Sequence, residues 1–154
     1  MQIVEKRGMG RILAIDYGQK RVGIAVTDEL QMIANALVTV EARHIFSFLE
    51  EYTRKENVSL FLVGKPKQMN DTDSDANKYI TPFVRKLGAV FPDVPIARAD
   101  ERFTSKMAFQ TMIDAGLKKK ARQNKALVDS ISATIMLQTY LESLEYKENR
   151  KNDT

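Results

Sequence analysis

Residues Arg11–Asp28 read RILAIDYGQKRVGIAVTD, two apolar runs either side of a short polar connection. Arg11–Ile15 is apolar and β-branched enough for a central strand. Asp16 follows it directly, and a charge in the middle of a sheet is costly, so this carboxylate is expected at the strand's end, marking a sheet edge or a site. Tyr17, Gly18, Gln19 and Lys20 form the connection, with a glycine able to take positive φ, and Arg21–Thr27 returns as a second strand. The result is a hairpin carrying a carboxylate. Aspartates also stand before turns simply to bond the next backbone amides, so a functional role for Asp16 depends on what the rest of the chain brings beside it.

The chain has 154 residues, of which 44% are hydrophobic, which suits one globular domain with a core of its own. It contains no cysteine and one histidine, His44. That excludes disulfides, thiolate zinc sites, cysteine nucleophiles and multi-histidine metal sites. Any metal must be held by oxygen, which points to Mg²⁺ or Mn²⁺ on carboxylates. No run of eighteen uncharged apolar residues and no signal-peptide pattern occurs, so a soluble cytoplasmic protein is expected, with no membrane partner. The formal charge of +4 favours a polyanionic partner mildly.

Outward from the hairpin, Glu29–Ala34 reads as a loop and Ala36–Val40 as a short third strand. Ile45, Phe48, Leu49 and Tyr52 carry the spacing of an amphipathic helix over Ala42–Asn57, with His44 on its surface. Leu60–Val63 is a continuous apolar run, the mark of a strand buried on both faces, ended by Gly64, Lys65 and Pro66. A polar loop from Lys67 to Asp75 feeds a second helix, capped by Thr72 or Ser74 and bearing Tyr79, Ile80, Phe83, Val84 and Leu87. Pro82 inside that helix predicts a late start or a kink.

Val94–Ala99 reads as a fifth strand ending in Asp100, Glu101 and Arg102. Thr104 or Ser105 then caps a helix closed by Gly116, and Leu117–Lys125 is a basic connection. Ala126–Leu144 is the last helix. The domain is expected to span residues 9–144, with flexible tails at 1–8 and 145–154.

This order predicts an α/β fold with a five-stranded mixed sheet, strand order 3-2-1-4-5, flanked by helices. Ligands collect at the carboxyl ends of the central strands of such sheets. Asp16 and Glu101 end two of those strands. At 100° per residue, Asp129 shares a stripe of the last helix with Ser132, Ala133, Met136 and Tyr140, opposite Leu127, Val128, Ile131 and Ile135. A carboxylate among small and apolar residues needs a donor or a cation, although an acidic residue in a helix's first turn is also favoured by the helix dipole alone.

With DYGQKRVGIAVTD at 16–28, Gly64-Lys65-Pro66, Asp100-Glu101-Arg102-Phe103-Thr104 and Val128-Asp129-Ser130-Ile131-Ser132-Ala133 in order, the chain resembles the YqgF family over about Met9–Leu141. Its members are RNase H-like proteins called Holliday junction resolvases or pre-16S rRNA nucleases. The resemblance implies an acidic cluster of Asp16, Glu101 and Asp129 holding Mg²⁺ or Mn²⁺, and hydrolysis of phosphodiesters in nucleic acid. Two metal ions about 4 Å apart need a bridging carboxylate and no histidine or cysteine. Strand five lies two spacings from strand one, roughly 9 to 10 Å, so Glu101 must reach across strand four, where Gly64 leaves room. Side chains alternate along a strand, so only one of Asp100 and Glu101 faces the metals; the resemblance favours Glu101.

The chain departs from the family's usual G-L-P-L-x-M-D-G-T loop with Gly64-Lys65-Pro66-Lys67-Gln68-Met69-Asn70-Asp71-Thr72, which gains two lysines and loses a glycine. The family's lysine before the helical Val-Asp is here displaced to Lys125. Phosphate contacts are expected from Lys20, Arg21, Lys65, Lys67, Arg102, Lys118, Lys119, Lys120 and Lys125. The resemblance implies an endonuclease that processes the 5′ end of precursor 16S rRNA in ribosome biogenesis, with ribosomal particles as partners. Cleavage of four-way DNA junctions, a non-catalytic nucleic-acid-binding factor and an actin-like nucleotide binder are the alternatives.

Overall fold

A computed structural model of the protein describes residues 10–65, 75–100 and 125–152. Alternation along the first strand, β1 (Arg11–Tyr17), divides the core in two. Leu13 and Ile15 join one apolar cluster on one face, and Ile12 and Ala14 join a second on the other. β2 (Arg21–Thr27) pairs antiparallel with β1, and β3 (Ala34–Glu41) pairs antiparallel with β2. β4 (Val58–Lys65) and β5 (Ile96–Asp100) follow parallel to β1, which gives the expected order β3-β2-β1-β4-β5.

The first cluster is covered by α1 (Ile45–Lys55) and α2 (Asp75–Val90), through Ile45, Leu49, Phe83 and Leu87. The second is covered by α3 (Lys125–Asn152), through Ala133, Met136, Leu137 and Leu141. Covering both faces is what the uninterrupted apolar run in β4 requires. No helix among the described residues is long and apolar enough to cross a membrane.

Several boundaries differ from those read in the sequence. β1 runs on to Tyr17, so Asp16 lies inside the ladder, paired with Gly23. Backbone pairing continues past a charge when its side chain is only half-buried, as Asp16 is. Gly18 is not needed for a left-handed φ; among the described glycines only Gly10 has one, at 110°. A Cβ on Gly18 would stand 2.7 Å from the Arg21 carbonyl oxygen that accepts the Gly18 N–H at 3.0 Å. The tightness of the turn, not its handedness, selects glycine.

β3 is longer than expected, because Ala34, Asn35 and Glu41 also pair with β2, and it carries a bulge: Ile24 pairs with Val38 and Ala25 with Ala36, leaving Leu37 over. A 3₁₀ turn over Ala42–His44 precedes α1, so the single helix predicted over 42–57 is shorter and in two parts. His44 is exposed, as read. α2 begins at Asp75 and runs through Pro82, so there is no late start. One lost N–H···O bond is offset by burying Ile80, Phe83 and Leu87.

β5 starts two residues later than read and includes Asp100. α3 continues to Asn152, so the charged stretch from Glu145, read as a tail, is helical to that point. From Lys125 onward the sequence has no glycine or proline, and Leu, Glu and Lys recur along it, so nothing stops the helix at Leu144. The predicted loop from Lys67 to Asp75, apart from Asp75 itself, the helix closed by Gly116 and the first eight residues lie outside the described residues.

The connection between β2 and β3 is pinned by Asp28. Its carboxylate accepts the N–H groups of Met32 at 2.8 Å, Ile33 at 2.9 Å and Leu30 at 3.2 Å. These bonds, Ile33's foremost, hold the Asp28 carboxyl below its ordinary pKa.

Candidate functional site

Asp16 stands near the carboxyl end of the central strand, on the face covered by α3, because it continues the alternation of Ile12 and Ala14. Its neighbours across the sheet are fixed by register. On β2 it faces Gly23, which in turn pairs with Thr39 on β3. On the other side Ile15 pairs with Val63, so one step further Asp16 stands beside Gly64, and Gly64 pairs with Ala99. The carboxylate is therefore flanked on both adjoining strands by residues without a side chain. Gly23 and Gly64 are themselves buried, whereas Asp16 is half-buried.

The opposite face at this level is filled. Tyr17 stacks on Phe83, ring centroids 4.1 Å apart, and meets Tyr79 at 5.9 Å. Partial burial pushes its phenol above the ordinary pKa, so it stays neutral. Arg98 donates from Nε to the Val63 carbonyl at 3.3 Å and from Nη2 to the Gly64 carbonyl at 3.1 Å. These contacts hold the ends of β1 and β4 and so fix the row in which Asp16 stands.

β5 fixes the parity that sequence could not. Ala97 and Ala99 pack with the α3-side cluster and Ile96 with the other. Position 100, paired with Lys65, thus falls on the face opposite Asp16. Glu101 lies outside the described residues.

In α3 Ser130, Ser132, Ala133, Met136, Leu137 and Leu141 are buried, and position 129 precedes Ser132 and Ala133 by about one turn of the helix. The hydroxyl of Ser132 is buried with no hydrogen-bond partner among the described residues. Its neighbour Thr134 donates to the Ser130 carbonyl at 2.8 Å.

Of the predicted phosphate contacts, Lys20 is exposed in the β1–β2 turn and Arg21 opens β2, half-buried, both at the same end of the sheet as Asp16. The backbone puts Lys65 at the end of β4, also at that end, and Lys125 at the start of α3. Lys67, Arg102, Lys118, Lys119 and Lys120 lie outside the described residues. Among the described residues no three His, Asp or Glu side chains stand together as a metal cluster, Asp16 being the one predicted carboxylate whose side chain is described. The chain's lack of cysteine leaves oxygen as the ligand on this face, Asp16 has glycine on both flanks, and the helix that covers the face carries an unsatisfied buried hydroxyl, a setting that suits a hard cation.

Sequence reasoning did not single out Gly23, Arg98 or Ser132. A glycine inside the β-branched run VGIAV was the available signal for Gly23, since such glycines mark a close approach. Nothing local distinguishes Arg98, and for Ser132 the signal was its place on the stripe shared with Asp129.

The sequence model of a family described as "RuvX: Holliday junction resolvase" matches residues 10–143. A protein of Flavobacterium psychrophilum named "Putative pre-16S rRNA nuclease" is 63% identical over 133 residues, covering 86% of this chain and 97% of the relative. One of the same name from Phocaeicola vulgatus is 58% identical over 138 residues, covering 90% and 99%. A solved structure described as Thermus thermophilus RuvC in complex with Holliday junction substrate superposes with a TM-score of 0.51 at 17% identity, covering 88% of this chain and 96% of that one, a likeness of fold. With the family model spanning nearly the whole described chain, and relatives more than half identical along almost their full length, this chain belongs to the RuvX (YqgF) family of nucleases, with an RNase H-like fold.

Proposed function

We propose that this protein is a divalent-metal-dependent endonuclease that processes the 5′ end of precursor 16S rRNA, acting on ribosomal precursor particles in the cytoplasm. The observation that carries the reading is the placement of Asp16 at the carboxyl end of the central strand with glycine on either side. Relatives named as pre-16S rRNA nucleases supply the substrate.

Asp16, Glu101 and Asp129 are the residues to hold Mg²⁺ or Mn²⁺. Position 100 falls on the face opposite Asp16, which speaks against Asp100 and leaves Glu101, the residue the family resemblance favours, as the second carboxylate. Asp129 comes from the helix that covers that face. Divalent cations held by these residues would supply charge stabilisation for the attacking water and the leaving 3′ oxygen of a phosphodiester. Gly64 keeps the space between β1 and β5 open to the phosphodiester. Lys20, Arg21 and Lys65, with Lys67, Arg102, Lys118, Lys119, Lys120 and Lys125, hold flanking phosphates without reading sequence.

A second reading, cleavage of four-way DNA junctions, is favoured by the family's description and by the RuvC likeness in fold. It needs two coordinated sites, hence a dimer. The test is Mg²⁺- or Mn²⁺-dependent cleavage of a precursor 16S 5′-leader RNA and of a four-way DNA junction by wild type and Asp16→Asn. The expected result is metal-dependent cutting of the RNA by wild type and none by the variant. Cutting of the junction alone selects the second reading. If neither is cut while both proteins bind the RNA equally, the chain is a non-catalytic binding factor and the nuclease proposal fails.

A further inference from the structure

Ser132 is 2% exposed, and its hydroxyl has no hydrogen-bond partner among the described residues. Buried polar groups are nearly always hydrogen-bonded, and an orphan of this kind points to a water or ion that completes it. The usual local solution, donation to a carbonyl one turn back, is taken on the same helix by Thr134 at 2.8 Å and is not taken by Ser132.

The place of this hydroxyl is informative. Ser132 follows position 129 by three residues, so their Cβ atoms are about 5 to 6 Å apart on one side of α3. Helical side chains lean toward the N-terminus, which tilts the Ser132 hydroxyl toward the turn containing Asp129. On the sheet, Ala133 and Met136, its neighbours on the stripe, pack with Ala14 and Ala25. The next pair along the same sheet face toward the carboxyl end of β1 is Asp16 and Gly23, where β2 contributes no side chain.

We infer that Ser132 is a positioning residue for the metal centre: its hydroxyl donates to the Asp129 carboxylate when that carboxylate ligates a divalent cation. The inference rests on the metal-nuclease reading. Groups that orient a ligand in this way typically change metal affinity by about 10- to 100-fold when removed. The bland alternative is that Ser132 is merely small, letting α3 lie close to Gly23 and Ala25 on β2. Alanine serves that purpose equally well, so the two roles predict different outcomes for one substitution.

The experiment is titration of the full chain with Mn²⁺ alone, followed by electron paramagnetic resonance, for wild type, Ser132→Ala, Thr134→Val and Asp16→Asn, with metal-free melting temperatures alongside. Ser132→Ala is expected to bind Mn²⁺ about ten-fold more weakly, with a metal-free melting temperature no lower than wild type, since no hydrogen bond is lost. Thr134→Val, whose hydroxyl is already engaged, is expected to bind as wild type. Wild-type affinity in Ser132→Ala, or an equal loss in Thr134→Val, overturns the inference. If the failure is of Ser132 alone, Asp16→Asn still binds more weakly than wild type. If wild type binds no Mn²⁺ at all, the inference and the metal-nuclease reading fall together.

Discussion

Gly64→Val separates room for chemistry from room for packing. Gly64 is buried beside Asp16 on the α3 face, between β1 and β5, and its carbonyl is held by Arg98. Adjacent strands are about 4.8 Å apart and side chains stand roughly perpendicular to the sheet. Two valine methyls would therefore occupy the volume next to the Asp16 carboxylate, the space that the proposed metal-dependent cleavage needs for cation and phosphodiester. Misplacing reacting groups by about 1 Å costs about 10²-fold in rate, so cleavage is expected to fall at least that far.

The fold should respond in the opposite sense. Strand preference spans about 1 kcal/mol and favours valine over glycine. For a chain of this size 1 kcal/mol corresponds to about 2 to 4 °C, so the melting temperature is expected to hold or rise by that amount. Single-turnover cleavage of the leader RNA, beside a thermal melt, reads both quantities. Wild-type cleavage by Gly64→Val would show that the chemistry does not use this space. A large fall in melting temperature would show that Gly64 exists for close packing, and the reasoning would be refuted from the other side.

Two further outcomes follow from the same structure. Lys20→Ala removes an exposed cation while leaving the Lys20 carbonyl to accept the Ala42 N–H at 2.9 Å. RNA affinity measured by fluorescence anisotropy over a salt series should weaken, with the slope of log K against log salt shallower by about 0.7 if one phosphate contact is lost, and an unchanged slope removes Lys20 from the interface. Asp28→Ala removes three backbone hydrogen bonds to a carboxylate whose folded pKa is depressed. The stability it supplies is present above the unfolded pKa of about 4 and lost as pH falls through the folded value, so the gap in melting temperature between wild type and variant should be full at pH 6 and close as pH falls below about 4. A gap that does not change with pH would mean the charge of Asp28 is irrelevant to the loop.

Much of this protein is determined by sequence alone, because its information is local. Two β-branched runs around Tyr17–Lys20 define a hairpin, LFLV at 60–63 defines a strand covered on both faces, and short connections joined to helical ones restrict the strand order to 3-2-1-4-5. Periodicity places position 129 on the inner stripe of the last helix. What only the tertiary structure decides depends on register and long-range packing. That Asp16 stands between Gly23 and Gly64 follows from which residues pair across strands, and a shift of one residue would reverse every face. The parity of Asp100 follows from where β5 joins β4. Whether the Ser132 hydroxyl is satisfied depends on what lies across the interface it faces, and a helical stripe specifies which residues are inside without specifying what they meet.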